Sequence, residues 1–385
     1  MTASALTRPG ERDRLPVKIS QIDWRLAGLL AVVACAGGMM LYSLSGQHWQ
    51  PWAAAHLIRF AALFLMMLVL ALVEPRWWYA AAYPTYGFIL LLLLLVEFSP
   101  LGYTAGGAKN WLSLGFTRIQ PAEFMKIGVV LALARWYHGA TAQEARFHWK
   151  LIVPAAIVGV PFLLVANQPD LGSAMLIGLT GAAVIFMAGL SWKLVLGLGA
   201  AAIAAIPPFV MFGMHDYQRE RVMTFLNPGA DPGGEGYQIV QSKIAMGSGG
   251  PLGRGYGLGS QSQLNFLPEK HTDFIFATLG EEFGFVGAFA LLVCFAAIIV
   301  ISLRIASLSH NHFGRMAAAG VVATFTAYVL INGAMVMGMA PVVGVPMPLL
   351  SWGGSMMLTV MIGFGLVQSV RVHRYLELPK SRGVI

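Results

Sequence analysis

The sequence predicts an all-α, polytopic integral membrane protein with ten transmembrane helices and one large extracytoplasmic loop. Three observations carry that reading. The 385 residues are 57% hydrophobic and only 11% charged, whereas a soluble domain carries about 25% charged residues. Apolar runs at 77–96, 171–192, 194–214 and 283–303 hold no charge, and runs of that length read as membrane spans. A single long polar stretch, 215–272, interrupts the pattern. The spans must be helices, because lipid satisfies no backbone group and no alternation signals a closed barrel.

In chain order, residues 1–25 form a basic, polar cytoplasmic segment, and the first span follows at 26–46. That span is longer than the core of a cleaved signal peptide, so it reads as retained. Spans near 52–73 and 77–96 lead to a short outward segment, Ser99–Arg118. Spans at 119–137, 150–168, 171–192 and 194–214 precede the 215–272 loop. Within that loop, 238–246 has the pattern of a short amphipathic helix, ended by the glycines from Gly247. The eighth span covers 283–303. From Met316 to Val370 there is no Asp, Glu, Lys, Arg or His. That run supplies two more spans, broken by the proline-rich 341–348. A cytoplasmic tail, 371–385, closes one membrane domain that covers 1–385, with no separate soluble domain.

The formal net charge is +8. Its distribution argues against nucleic acid. With ten spans, 16 Lys/Arg fall on the side of the termini and seven on the other, five of those in the long loop. Short basic loops stay inside, so both termini are cytoplasmic, and the excess suits anionic lipid. Cys35 and Cys294 both lie in spans and imply neither a disulfide nor a metal site. No histidine or cysteine cluster has zinc spacing.

Chemistry concentrates at the end of the long loop. Asp273 stands where that loop meets the eighth span. A carboxylate there can act as a base or as a helix cap. Glu281 and Glu282 follow about 12–14 Å further along the same helix, and carboxylates at membrane depth are usually functional. Glu123 and Lys126 are spaced i, i+3 on the fourth span, where they neutralise each other or line a substrate path. Lys109, Trp111 and Arg118 place cations and an aromatic ring at the outer interface, where a lipid phosphate could bind and where tryptophan is in any case enriched. Arg219, Arg221, Lys243, Arg254 and Lys270 make the large loop basic, through ordinary solvation or as a clamp for a lipid diphosphate. Asp170 reads first as the cap of the sixth span. Arg59, in the second span, reads as snorkelling or paired. The glycine-rich run 247–259 lacks the ending of a phosphate loop; its glycines permit turns and close backbone approach. Small residues at Ala317, Ala318, Ala319, Gly320 and Ala323 offer a face on which a partner's membrane helix can pack.

The runs Gln120–Lys126, Asn167–Ser173, Gly236–Ala245, Leu267–Phe276 and Pro348–Ser355 together resemble the SEDS family (shape, elongation, division and sporulation), over essentially the whole chain. The runs 261–266 and 343–348 are similar to its elongation branch rather than its division branch. The resemblance implies a ten-span peptidoglycan glycosyltransferase of the bacterial inner membrane that polymerises lipid II during elongation and cell-shape maintenance. It implies a class B penicillin-binding protein as partner, among other elongation-complex proteins. Asp273 matches the family's essential loop aspartate, Glu123 and Lys126 its fourth-helix pair, and Trp111 an important tryptophan. Ser351 lies in a matched run and joins the expected substrate contacts with Lys109, Asp170, Lys243, Arg254 and Lys270. Two departures are Asn110, where many members have Arg, and Met356, where many have Ser. The first moves an expected phosphate contact to Lys109.

Joining a 4-hydroxyl to an anomeric carbon asks for a base at the hydroxyl and cations at the departing diphosphate. A divalent cation, Mg or Mn, could accompany that diphosphate, although no dedicated metal site is visible. Two rival readings are a lipid-precursor flippase or ion-coupled carrier using Glu123, Lys126, Glu281 and Glu282, and a scaffold that only recruits a transpeptidase.

Overall fold

The computed structural model describes residues 15–105, 108–113, 118–140, 149–194, 223–230 and 234–379, with single positions at 196, 197, 200, 204 and 219. Its helices are α1 (Leu15–Ser20), α2 (Trp24–Leu44), α3 (Ala53–Ala71), α4 (Pro75–Phe98), α5 (Pro121–Gly139), α6 (Ile152–Asn167) and α7 (Leu171–Met187). After these come α8 (Glu235–Ser248), α9 (Ser260–Gln263), α10 (Ile275–Ser307), α11 (His312–Val336) and α12 (Gly354–Val372). Among the described residues, seven helices are long and apolar enough to cross a membrane: α2, α3, α4, α6 with its leading turn, α10, α11 and α12. The chain is a multi-pass membrane protein. The span expected at 194–214 lies almost wholly outside the described residues, as do Arg221 and most of 205–222.

Local chemistry sets the helix starts. Asp23 accepts from Leu26 N and caps α2. Pro75 and Pro121 occupy the first turns of α4 and α5, where a missing N–H costs nothing. The amphipathic segment of the large loop is α8, and it ends at Gly249. The segment after α4 departs from the all-helix expectation. It forms a small antiparallel sheet, β1 (Gly102–Ala105), β2 (Ala108–Ser113) and β3 (Arg118–Ile119), in the order β1-β2-β3.

α5, α11 and α12 are buried along most of their length, while α3, α4 and α6 turn large apolar side chains outward. In lipid those outward side chains cost nothing. Glycines let the central helices meet closely. A Cβ on Gly320 would lie 2.7 Å from Val130 and 2.8 Å from Val184. The small-residue face of α11 is therefore spent on α5 and α7: Ala317, Ala318, Ala319 and Gly320 are buried inside the bundle. This corrects the expectation that the face receives a partner's helix.

α10 has 33 residues, about 50 Å of helix against about 30 Å of hydrocarbon. It breaks at Gly284, whose φ of 65° and ψ of −163° are not helical. Every residue from Ile275 to Glu282 is buried, whereas Phe285 and Phe289 beyond the break are 68% and 55% exposed. The first piece is thus a half-helix embedded in protein, and the lipid-facing span begins after Gly284.

The glycine-rich loop fills the break. Phe285 N and Val286 N donate to Gly250 O (2.9 Å) and Pro251 O (3.1 Å). In return Arg254 N and Gly255 N donate to Glu281 O (3.0 Å) and Glu282 O (3.1 Å). A Cβ on Gly284 would meet Gly253 N at 2.3 Å. Gly284→Ala should therefore lower stability by about 2 kcal/mol or more, read as a drop in melting temperature in detergent. Gly28→Ala, with nothing within 4 Å of the new Cβ, should hold or raise it.

Candidate active site

The turn that carries Asp273 is built by its own residues. Phe274 N and Thr272 N both donate to Glu269 O, at 3.1 and 3.2 Å. Thr272 Oγ1 donates to Glu269 Oε2 at 2.6 Å. The N-cap of α10 is Phe274, so Asp273 stands one residue outside the cap position.

Two other parts of the chain clamp the turn. Asn332 of α11 donates through Nδ2 to Asp273 O and to Val345 O, both at 2.7 Å. In the α11–α12 connection, Ser351 Oγ donates to Thr272 O (2.6 Å) and accepts from Met347 N (2.8 Å). Trp352 N donates to His271 O at 2.9 Å. The Asp273 carboxylate faces the backbone of Gly344, where a Cβ would lie 3.7 Å from Oδ2. Ser351 thus spends its hydroxyl inside the protein, positioning the turn.

α7 joins the same connection. A Cβ on Gly172 would meet Val343 O at 2.1 Å, so the start of α7 lies directly on this backbone. Asp170 caps α7 through Ser173 N at 3.0 Å. Its other oxygen accepts from Asn110 Nδ2 (2.8 Å) and Gln120 Nε2 (2.6 Å). Asp170 therefore ties β2, the start of α5 and α7 together. Asn110 replaces the expected arginine with a neutral partner for this carboxylate.

The Glu123–Lys126 pair forms as its spacing predicts. Lys126 Nζ lies 2.5 Å from Glu123 Oε1, with both side chains buried. Tyr328 donates its hydroxyl to Glu123 Oε2 at 2.5 Å, and its ring lies 4.6 Å from Lys126 Nζ. Tyr328 and Asn332 are four residues apart on α11, one turn along the same face. The buried pair therefore sits about 6 Å along α11 from the residue that holds Asp273.

The cations divide sharply. Lys109 Nζ donates to Glu97 O and Ser99 O, both at 3.1 Å, and closes the end of α4. Lys270 is buried and donates to Ser262 O (2.6 Å) and Asn265 Oδ1 (2.7 Å); burial pushes its pKa down. Arg254 is exposed and bonds Ser248 O and Ser260 Oγ. Lys243 is exposed beside Gly338. Trp111 lies half-buried on β2 opposite Tyr103, whose ring carries the Arg118 guanidinium at 3.9 Å. Two of the expected cations, Lys109 and Lys270, thus hold backbone carbonyls rather than an open site. Burial holds His271 below the ordinary histidine range, so this ring, stacked on Trp52 at 4.7 Å, adds no charge at neutral pH.

Glu281 and Glu282 bind groups of neighbouring elements. Glu281 accepts from Gln261 N (2.8 Å), Ser262 N (3.2 Å) and Ser260 Oγ (3.2 Å), pinning α9. Glu282 accepts from Ser43 Oγ at 2.6 Å. The sequence reads Arg59 as snorkelling or paired, not as part of the site. Its guanidinium lies 3.9 Å from the Trp352 ring centroid, and Trp352 N bonds His271 O, two residues from Asp273. Arg59 makes no hydrogen bond or ion pair among the described residues. The available signal was an arginine alone in an apolar span.

These matched runs converge on one turn, and the comparisons agree in kind. The profile of the FtsW/RodA/SpoVE cell cycle proteins matches residues 19–376. The chain belongs to that family. It is 42% identical to the peptidoglycan glycosyltransferase MrdB of Escherichia coli K12, over 92% of this chain and 94% of that protein. It is 32% identical to the probable peptidoglycan glycosyltransferase FtsW of Trichlorobacter lovleyi, over 93% and 95%. Among solved structures, it resembles a chain of a peptidoglycan synthase complex described as coordinating polymerization and crosslinking, with a TM-score of 0.77, 33% identity and coverage of 92% and 98%. It also resembles the rod shape determining protein RodA of Thermus thermophilus, with a TM-score of 0.67, 28% identity and coverage of 92% and 98%.

Glu123→Gln or Lys126→Met should each destabilise the protein by about 3 kcal/mol, because each leaves one buried charge unpaired. The double change should recover part of that loss. Melting temperatures of the three variants in detergent check the coupling.

Proposed function

We propose that this peptidoglycan glycosyltransferase lengthens glycan strands from lipid II with Asp273 as its general base. The acceptor's 4-hydroxyl gives its proton to the Asp273 carboxylate as its oxygen attacks the donor's anomeric carbon. The new C–O bond forms while the bond to the lipid diphosphate breaks, and the diphosphate leaves with the bonding pair. One observation carries the assignment. The backbone on either side of Asp273 is fixed by Asn332 and Ser351, and its carboxylate faces the backbone of Gly344. A held carboxylate in a half-buried turn suits a base that must not move as it accepts a proton.

The departing diphosphate needs positive charge. Lys109 and Lys270 are occupied by carbonyls, so the reading assigns that role to Arg59, with Lys243 and Arg254 at the exposed rim. Stacking on Trp352 orders the guanidinium while leaving its N–H groups for phosphate oxygens. Among the described residues no three His, Cys, Asp or Glu side chains gather to hold a metal ion. A divalent cation would therefore bind chiefly through the substrate's own oxygens. Trp111, Asp170 and the Glu123–Lys126 pair shape the wall of the site from within.

The reading places ten spans in the bacterial inner membrane with both termini cytoplasmic. Asp273 then faces the cell-wall side, where a lipid-linked donor is available and nucleotide is not. The likeness to a chain of a peptidoglycan synthase complex supports a class B penicillin-binding protein as partner. A carrier reading loses support, because Glu123 and Lys126 are locked together and Glu281 and Glu282 hold the loop.

Purified full-length protein, lipid II and gel analysis of glycan chains test the proposal. Asp273→Asn should keep the melting temperature and slow polymerisation by roughly 100-fold or more. Near-normal glycan synthesis by this variant would remove Asp273 as the base.

Arg59→Gln should slow the same assay by about 10-fold or more, since a lost charge-assisted bond to phosphate is worth about 1.5–3 kcal/mol. Arg59→Lys should recover only part of the rate, because the planar stack is gone. Full activity of Arg59→Gln would return the diphosphate to the loop cations.

A further inference from the structure

Asn332 and Ser351 hold the Asp273 turn through its backbone carbonyls. α3 reaches the same turn through a side chain. Trp52, the N-cap residue of α3, lays its indole on the His271 ring, with centroids 4.7 Å apart and planes 12° from parallel. Stacked rings in that range attract, and they resist both tilting and sliding. Trp52 is half-buried. Trp49, in the same turn, is 59% exposed and serves as an interface anchor. That role does not explain a tryptophan folded against a histidine.

The contacts close a ring. His271 O accepts from Trp352 N at 2.9 Å. The Trp352 ring lies under the Arg59 guanidinium at 3.9 Å. Arg59 follows Trp52 along α3 by two turns, about 10 Å. One helix therefore touches the turn that carries Asp273 and also carries the cation assigned to the diphosphate. A slide of α3 along its axis would disturb both stacks at once.

α3 itself is firmly seated. His56, one turn after Trp52, is buried, and its Nε2 lies 3.3 Å from Ala34 O of α2. A Cβ on Gly37 of α2 would lie 2.6 Å from Leu350 O, so α2 also touches the connection that carries Trp352. Further along, a Cβ on Gly365 of α12 would lie 2.8 Å from the Leu70 side chain of α3. Trp52 thus stands on a helix packed against both of its neighbours.

We propose that Trp52 is a positioning residue for polymerisation: its stack on His271 fixes the Asp273 turn against α3 and so sets the spacing between the base and Arg59. The inference rests on Asp273 as the base. An acceptor hydroxyl and a departing diphosphate must be served together in the transition state. An error in that spacing therefore slows the chemical step and leaves ground-state binding of lipid II alone.

The test measures initial rates of glycan synthesis by the purified full-length protein over a range of lipid II concentrations. Trp52→Leu keeps the apolar bulk but not the flat face. It should lower kcat by about 10-fold or more with KM and melting temperature unchanged. Trp52→Phe should recover most of the rate. His271→Leu should show the same loss, and the double variant no more than either single change, because all three break one contact. His271→Phe keeps a ring to stack and should stay near wild type. A wild-type kcat in Trp52→Leu, a rise in KM alone, additive losses in the double variant, or losses that track melting temperature would each overturn the role. Should Trp52→Leu not fold, the two His271 variants decide by the same criteria. Asp273→Asn, measured alongside, separates the two readings. If it is active, the base assignment fails and takes this inference with it. If it is inactive while Trp52→Leu matches wild type, only the role of Trp52 fails.

Discussion

The exchange of backbone hydrogen bonds at Gly284 is the constraint on which the rest depends. A helix inside a bilayer cannot leave peptide groups unpaired. α10 nevertheless breaks there. The N–H groups of Phe285 and Val286 are taken by Gly250 and Pro251, and the carbonyls of Glu281 and Glu282 by the loop backbone at Arg254 and Gly255. Only glycine permits that approach, since Cβ atoms at 249, 253 and 284 would all meet backbone below 2.5 Å. The break frees the first piece of α10 to lie inside the protein, and Asp273 is held at its head.

Buried charge is the second organising element. A buried carboxylate needs a pair or hydrogen bonds, and here those bonds join different elements of the chain. Glu123 and Lys126 neutralise each other and bind Tyr328. One turn away on α11, Asn332 takes the carbonyl of Asp273. Glu281 gathers the backbone of α9, and Asp170 gathers β2, α5 and α7. The polar residues that look functional in sequence are, in good part, the connectors that make one carboxylate immobile. The proposed base must be immobile, because a misplacement of about 1 Å costs about 100-fold in rate.

The matched runs show how much of the site was legible. Asp273, Glu123, Lys126 and Asp170 are named by local patterns: a carboxylate at a loop–helix junction, an i, i+3 ion pair, and a residue preceding a helix. Their partners Tyr328, Asn332 and Ser351 come from stretches 59 to 205 residues away, and nothing local announces them. Cations were the least legible. Lys109 and Lys270 look as free in sequence as Arg59, yet carbonyls of neighbouring turns hold the first two and an aromatic ring holds the third.

The sequence by itself determined the membrane class, the order of most helices, the break between α11 and α12, and the family. These follow from hydropathy, prolines, caps and short motifs, which act within a few residues. Tertiary structure alone decided that the glycine-rich loop enters a broken helix, that the small face of α11 is spent inside the bundle, and that Arg59 stacks on Trp352. Those outcomes depend on which surfaces meet across hundreds of residues, and in a bilayer that choice rests on close packing and on pairing every polar group.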